Sequence, residues 1–209
     1  YEEQHNVFYY VTVMNENYLQ PAMPDGIEED IIKGIYLYRQ GSRKKKRVQL
    51  MGSGTILREV IAAAALLEDE WNIAADVWSV TSYKELYMDA IECERWNLLN
   101  SGKKAKVPYV QQLLAKEQGI FVAASDYMKV LPASVAQWFP GPLHCLGTDG
   151  FGRSDGREEL RDFFEVDYRY IAIAALTQLA ASGEIESGTV TRAIKELDIN
   201  SGKLNPHND

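Results

Sequence analysis

VQLMGSGTILREVIAAAALLEDEWNIAADVWSV, residues 48–80, reads as strand, turn, helix and strand in direct succession. Val48, Leu50 and Met51 form a short apolar run, Gly52-Ser-Gly54 interrupts it, and Ile56, Val60, Ala64, Leu67 and Trp71 then recur at helical spacing. An alanine run at 62–65 lets one side of that helix lie close against a sheet. Residues 75–80 return to a β-rich apolar run. Two apolar strands joined through an amphipathic helix form the unit of a parallel sheet covered on both faces.

The same alternation continues downstream. It predicts a helix over 83–99, a strand over 120–124, a proline-interrupted helix over 127–138 and a last strand over 144–148. A glycine-rich loop follows, with Gly147, Gly150 and Gly152, and Asp155 with Glu158 predicts a capping pair for a helix carrying Leu160, Phe163 and Phe164. Tyr168, Ile171, Ala175, Leu176 and Leu179 predict a further helix stopped near Gly183, and Val190, Ile194 and Leu197 a terminal one. The polar end, 201–209, predicts a frayed tail.

Upstream, residues 34–39 predict a short strand and 43–47, Arg-Lys-Lys-Lys-Arg, a solvated turn. Residues 15–26, with Pro21, Pro24 and Gly26, predict a strap, and the β-branched and aromatic run from Val7 to Val13, bounded by Asn6 and Asn15, predicts a strand. The expected fold class is therefore α/β, a single three-layer domain with a mainly parallel, mixed sheet. Residues 1–40 are expected to be an incoming strand and linker strap from a preceding domain, and 41–209 the domain itself. The opening, Tyr1-Glu-Glu-Gln-His5, lacks an initiator methionine and suggests a piece of a longer chain.

Composition narrows the function classes. With 209 residues and 46% hydrophobic content the chain can bury a substantial core. A net charge of −8 argues against nucleic acid and anionic membrane as partners, since both demand a dominant basic field. Two cysteines, Cys93 and Cys145, without close pairing support neither a disulfide framework nor a zinc site and fit a reducing cytoplasm. His5, His144 and His207 have no metal-ligand spacing, so no metal residue is assigned.

The individual motifs each carry a plain and a functional reading. Gly52-Ser-Gly54 stands where a phosphate could rest on helix N-terminal amides, yet Leu57 occupies the third glycine position of a dinucleotide fingerprint, which favours a simple turn. Met51 stands where a nucleophile elbow would have its first glycine before Ser53. In Cys93-Glu-Arg-Trp-Asn97, Trp96 fills a groove while Glu92 and Arg95 pair at the surface, or Trp96 and Arg95 anchor an inter-domain contact. Cys93 has no histidine near it in sequence and is disfavoured as a nucleophile. The loop with Asp149, Phe151, Arg153 and Asp155 is either a structural turn with Phe151 buried or a partner-facing surface. The candidate interface set is thus Trp96, Arg95, Asp149, Phe151, Arg153 and Asp155, with no catalytic or cofactor residue.

Four stretches carry a family resemblance: Asn15-Glu-Asn-Tyr18, Val48-Gln-Leu-Met-Gly-Ser-Gly54, Cys93-Glu-Arg-Trp-Asn97, and the run from Leu146 to Asp167. With them, nearly all of the chain resembles the C-terminal domain of the homodimeric bacterial pyruvate dehydrogenases, within the transketolase superfamily. The resemblance implies three α/β domains in a complete subunit, with thiamin diphosphate and Mg held between the first two across a dimer interface. The family's Gly-Asp-Gly with a later Asn-Asn is missing here, because Thr148-Asp-Gly150 has no preceding glycine and no Asn-Asn follows. By resemblance, the complete enzyme decarboxylates pyruvate and reductively acetylates the lipoyl group of dihydrolipoyl acetyltransferase. The expected partners are the preceding domains of the same subunit, the second subunit of a homodimer, and dihydrolipoyl acetyltransferase. The chain alone is expected to be structural and inactive. A free-standing small-ligand- or nucleotide-binding α/β domain is the alternative.

Overall fold

The computed structural model describes residues 1–11, 13–14 and 16–208. In chain order the elements are α1 (Glu28–Lys33), β1 (Ile35–Arg39), β2 (Arg47–Gly52), α2 (Leu57–Glu70), β3 (Ala74–Val80), α3 (Tyr83–Leu99), α4 (Tyr109–Leu114), β4 (Ile120–Ala124), α5 (Val130–Ala133), β5 (Leu143–Leu146), α6 (Arg157–Phe163), α7 (Tyr168–Ala181) and α8 (Ser187–Glu196), with 3-10 turns at Gly54–Ile56 and Ala136–Trp138. The sheet runs β1-β3-β2-β4-β5, with β1 antiparallel to β3 and the other pairs parallel. Every residue of β3 is buried, as expected of an inner strand covered on both faces. The α/β, three-layer, mixed but mainly parallel architecture agrees with the sequence reading.

Strand alternation divides the core in two. Val48, Leu50, Ala75, Val77, Val122 and Ala124 face α2 and α7. Met51, Trp78, Val80, Phe121 and Ala123 face α3, α4 and the segment ending at Phe139. Leu57, Val60, Ala63, Ala64 and Leu67 form the buried stripe of α2. Burying a Val or Leu side chain contributes roughly 1.5–3 kcal/mol. Leu67, fully buried, is the residue whose truncation would cost this helix most, about 2–5 kcal/mol.

A polar chain penetrates the second face. Trp78 Nε1 donates to Gln49 Oε1 at 2.7 Å, Gln49 Nε2 donates to Asp76 Oδ2 at 2.8 Å, and Asp76 Oδ1 accepts from Arg47 Nη1 at 2.5 Å and from Gly41 N at 2.7 Å. Each buried polar atom named here has a partner, the condition under which burying it is tolerated.

Several expectations change in the structure. Residues 7–11 and 13 form no strand and are exposed, because ladder hydrogen bonds need a second segment alongside; Thr12 and Asn15 lie outside the described residues. The 127–138 helix shrinks to α5 and a 3-10 turn, with Ser134 Oγ donating back to Leu131 O at 2.6 Å. Two helices were not foreseen, α1 and α4, each of six residues and too short to show periodicity. The strand expected at residues 34–39 does form, as β1, and pairs with β3. The basic run is solvated only in part: Arg47 binds Asp76, and Lys44 Nζ donates to Glu68 O at 2.5 Å. The tail is fastened, with Lys203 Nζ donating to Asp162 O and standing 5.2 Å from the Tyr170 ring centroid. None of the described helices is long and apolar enough to cross a membrane.

Candidate functional site

Parallel strands present their C-terminal ends along one edge, and the strand order reverses between β2 and β4, the position where α/β sheets open a crevice. Gly52-Ser-Gly54 lies at this edge. A Cβ on Gly52 would sit 2.7 Å from Leu57 Cα, so glycine is needed for α2 to turn back onto β2. Gly54 has φ +55°, in the left-handed region. Ser53 precedes the helix without a side-chain cap bond, and its buried Oγ has no partner among the described residues.

The loops after β4 and β5 are laced together beside this turn. Thr148 Oγ1 donates to Asp126 O at 2.8 Å, Thr148 N donates to Tyr127 O at 2.9 Å, and Asp149 Oδ1 accepts from Lys129 N at 2.9 Å. A Cβ on Gly147 would strike Tyr127 O, so the loop start requires a glycine there. Asp155 caps no helix: its Oδ1 accepts from Gly156 N at 2.8 Å, Gly156 is the N-cap of α6, and the expected pairing with Glu158 does not form. The helix starts one residue later than the sequence suggests, with Gly156, extended at φ −61° and ψ 159°, in the N-cap position.

α6 has no buried residue of its own and is held by what surrounds it. Arg161 Nη1 donates to Glu59 Oε1 of α2 at 2.9 Å, and Glu59 Oε2 accepts from Tyr168 N at 3.1 Å. The strap closes over this corner. The Tyr18 ring lies 4.6 Å from the Arg58 guanidinium and 5.8 Å from that of Arg161, within cation–π range, while Tyr18 Oη donates to Glu16 Oε2 at 2.6 Å. Arg157 pairs with Glu16 at 3.7 Å. Two cavities flank the arginines. One, of 910 Å³, includes Glu16, Tyr18, Arg58 and Glu59; the other, of 520 Å³, includes Thr55, Ile56, Asp126, Thr148 and Arg153; Arg157 and Arg161 line both.

The titratable groups near the sheet favour no covalent chemistry. Burial pushes the Cys145 thiol up to about 11, against an opposing pull from Lys129, and burial raises Cys93 also, with Asp89 adding to it. Both are protonated at neutral pH, and the thiol rather than the reactive thiolate is present. Burial and then Lys129 hold the His144 imidazole below its usual value. His144 Nδ1 stands 3.4 Å from Gln178 Nε2 of α7, on the face of β5 opposite Cys145, so the adjacent pair does not form a dyad.

The structure does not bring the six candidate interface residues together. Trp96 and Arg95 lie near the end of α3, which starts at the C-terminal end of β3 and runs back about 25 Å, to the opposite edge of the sheet from residues 147–155. Trp96 is half-buried beneath Lys106 and Lys103, with ring distances of 5.1 and 5.9 Å, and Arg95 is exposed. Phe151 is 82% exposed, which overturns its reading as a buried turn residue. Asp149 is engaged by Lys129, Arg153 stacks 5.4 Å from the Phe163 centroid, and Asp155 is exposed. Sequence reasoning missed the Glu16–Tyr18–Arg58–Glu59–Arg157–Arg161 cluster. Its one signal was Asn15-Glu-Asn-Tyr18, and Tyr18 meets Arg161 across 143 positions of chain.

A mainly parallel sheet with an antiparallel edge strand, helices on both faces and a crevice of loops at the strand ends defines a three-layer α/β domain. The model of the Transketolase-like TK C-terminal domain matches residues 34–167, and the chain belongs to that family. It is 52% identical over 207 residues to the pyruvate dehydrogenase E1 component of Pseudomonas aeruginosa, covering 98% of this chain and 24% of that protein. The protein of the same name in Escherichia coli is 48% identical over 98% of this chain and 23% of its own length, and that of Cupriavidus necator 45% over 99% and 23%. The chain therefore spans about a quarter of the length of the curated relatives it matches. Among solved structures, a transketolase from Pichia stipitis in complex with sedoheptulose-7-phosphate superposes with a TM-score of 0.51 at 19% identity, covering 75% of this chain and 19% of that one. That likeness shows the fold.

Proposed function

We propose that this chain is the C-terminal domain of a thiamin-diphosphate-dependent pyruvate dehydrogenase that decarboxylates pyruvate and reductively acetylates the lipoyl group of dihydrolipoyl acetyltransferase. The observation that carries the reading is identity of about half, running along 98% of the chain, to relatives named pyruvate dehydrogenase E1 component. Within that enzyme the domain is structural. Residues 1–40 connect it to preceding domains, with β1 drawn into its sheet, and 41–209 are the domain proper.

The residues present do not fit the cofactor. Among the described residues no three His, Cys, Asp or Glu side chains converge in a manner that could hold a metal ion, and the sequence has no Gly-Asp-Gly with a later Asn-Asn. No step of the reaction is therefore assigned to this chain. Its surface groups serve contact instead: half-buried Trp96 with exposed Arg95 at one edge, and exposed Phe151, Arg153 and Asp155 with half-buried Asp149 at the other, face neighbouring domains, the second subunit of a homodimer, or the acetyltransferase. Aromatics beside arginines suit interface anchors, and Phe151 is 82% exposed. Two free cysteines support a reducing cytoplasm as the compartment.

The test is carbon dioxide release from pyruvate with thiamin diphosphate and magnesium. The full-length protein is expected to release it and the 209-residue chain not to. Activity of the pure chain alone, or none from the full-length protein, would sink this reading.

A further inference from the structure

We propose that the end of α3 and the loop after it, from Arg95 to Val107, form a docking surface for an acidic segment of a partner protein, one that carries apolar side chains between its carboxylates. From Arg95 to Lys116 the sequence has five basic residues and no acidic one, in a chain whose net charge is −8. The cations at this edge are uncompensated. Arg47, Arg161 and Arg169 each meet a carboxylate elsewhere in the fold, whereas among the described residues Arg95, Lys103, Lys104 and Lys106 meet none, and the surface pair expected between Glu92 and Arg95 does not form. Two other acidic side chains of α3 are already committed: Asp89 Oδ2 accepts from Tyr109 N at 2.6 Å, and Glu94 Oε1 accepts from Trp138 Nε1 at 2.9 Å. A local excess of positive charge on an acidic domain steers a negatively charged partner to this edge and away from the rest of the surface.

The surface is also preformed. Asn97 Nδ2 donates to Lys106 O and Asn97 Oδ1 accepts from Lys106 N, both at 2.8 Å, so one side chain clamps the far end of the loop to α3. Asn100 Nδ2 donates to Trp96 O at 2.9 Å, and Lys103 N donates to Asn100 O at 2.9 Å. Lys103 and Lys106 stand 5.9 and 5.1 Å from the Trp96 ring centroid, within cation–π range. Every residue from Leu98 to Val107 except Asn100 is exposed. Leu98 is 79% and Leu99 63% exposed, and they follow Arg95 by three and four positions, on its side of the helix. Cations beside bare leucines match carboxylates interleaved with apolar side chains. A nucleic acid strand or a flat anionic membrane matches less well, because either extends past the loop onto acidic surface, and Trp96, already carrying two ammonium groups, is poorly placed to stack a base. The proposal deepens the contact role given above to Trp96 and Arg95 and rests on that role, not on the pyruvate chemistry.

The experiment titrates the full-length protein by calorimetry with a synthetic peptide of repeated Glu-Leu-Glu-Glu-Leu units. The same peptide with glutamine for glutamate, an oligothymidylate and phosphatidylserine vesicles are the comparison ligands. The glutamate peptide is expected to bind and the glutamine peptide not to. Lys103→Glu combined with Lys104→Glu should weaken binding roughly tenfold, and Leu98→Ser roughly threefold. Lys195→Glu, exposed on α8 and across the sheet from α3, should leave it unchanged. Binding should also weaken as salt rises from about 0.1 M to about 1 M, where the Debye length falls from about 10 Å to about 3 Å. Carbon dioxide release from pyruvate is measured alongside; its absence from the parent protein would sink the reading above, while the peptide result stands on its own. No binding of the glutamate peptide, equal binding of the glutamine peptide, an equal effect of Lys195→Glu and the double reversal, or tighter binding of oligothymidylate or vesicles overturns the proposal.

Discussion

Asp76 Oδ1 accepts a hydrogen bond from Arg47 Nη1 at 2.5 Å, joining the last residue of the basic run to a carboxylate whose side chain is only 3% exposed. Asp76 also holds Gly41 N and Gln49 Nε2, and through Gln49 the indole of Trp78. One carboxylate thus ties the β1–β2 connection to two inner strands. Removing it strands a guanidinium, an amide and a backbone donor together. Asp76→Ala is expected to destabilise by about 3–5 kcal/mol, the range for breaking one partner of a buried ion pair. Chemical denaturation measures it. Lys45→Gln, two residues before Arg47 and exposed, should stay within about 0.5 kcal/mol. Equal effects for the two would show that the run acts as one solvated turn after all.

Glu117 sits near this pair and supplies a pH test. Burial, with Asp76 adding to it and Arg47 opposing, raises its carboxyl above the ordinary value of 4.5. The folded state therefore binds the proton more tightly than the unfolded state. Stability from this group is fully present below pH 4.5 and is lost as pH rises through the folded value. Glu117→Gln removes that loss, so it should stabilise the protein at pH 7 and change little at pH 4. Thermal melts at both values decide it, and a destabilised variant at neutral pH would mean that the charged carboxylate makes a favourable contact.

His144 titrates with the opposite sense. Burial and then Lys129 depress its imidazole below 6.5, so the unfolded state takes up the proton first. Its contribution is fully present above pH 6.5 and falls away as pH drops through the folded value. His144→Gln should flatten the pH dependence of the denaturation midpoint between about pH 5 and 7 relative to the parent, in line with an ordinary histidine near 6.5. An unchanged slope would place the titrating group elsewhere.

The alternation of strand and helix was legible because its periods are local. Ile56, Val60, Ala64 and Leu67 can be read within a few turns, and all four are buried on α2. The partners that redirect a residue were not legible, because they come from far along the chain. Arg47 lies within a run of charges that reads as solvated until Asp76 arrives from 29 residues away. Glu16 and Tyr18 read as strap until α6 places Arg157 and Arg161 against them. Periodicity also fails for α4, where six residues contain only Val110 and Leu114 as buried anchors. The same distance dependence explains Phe151, whose aromatic character suggested a core and whose position outside both clusters leaves it exposed.

The glycine-rich loop allows a direct test of which glycines shape it. At Gly147 an added Cβ would strike Tyr127 O and come within 2.9 Å of Lys129 N, both backbone atoms in the laced β4 loop. Backbone cannot swing aside as a side chain can, so the β4 and β5 loops must separate. At Gly152 an added Cβ meets nothing within 4 Å, and its φ lies outside the left-handed region. Gly147→Ala should therefore destabilise by about 1–3 kcal/mol, the usual cost of overpacking, while Gly152→Ala should be neutral or slightly stabilising by reducing unfolded-chain entropy. Denaturant midpoints of the two variants should differ in this order. If Gly152→Ala is instead the more damaging, the loop reaches a second conformation that needs freedom at 152, and the packing of Gly147 against Tyr127 is not what holds it.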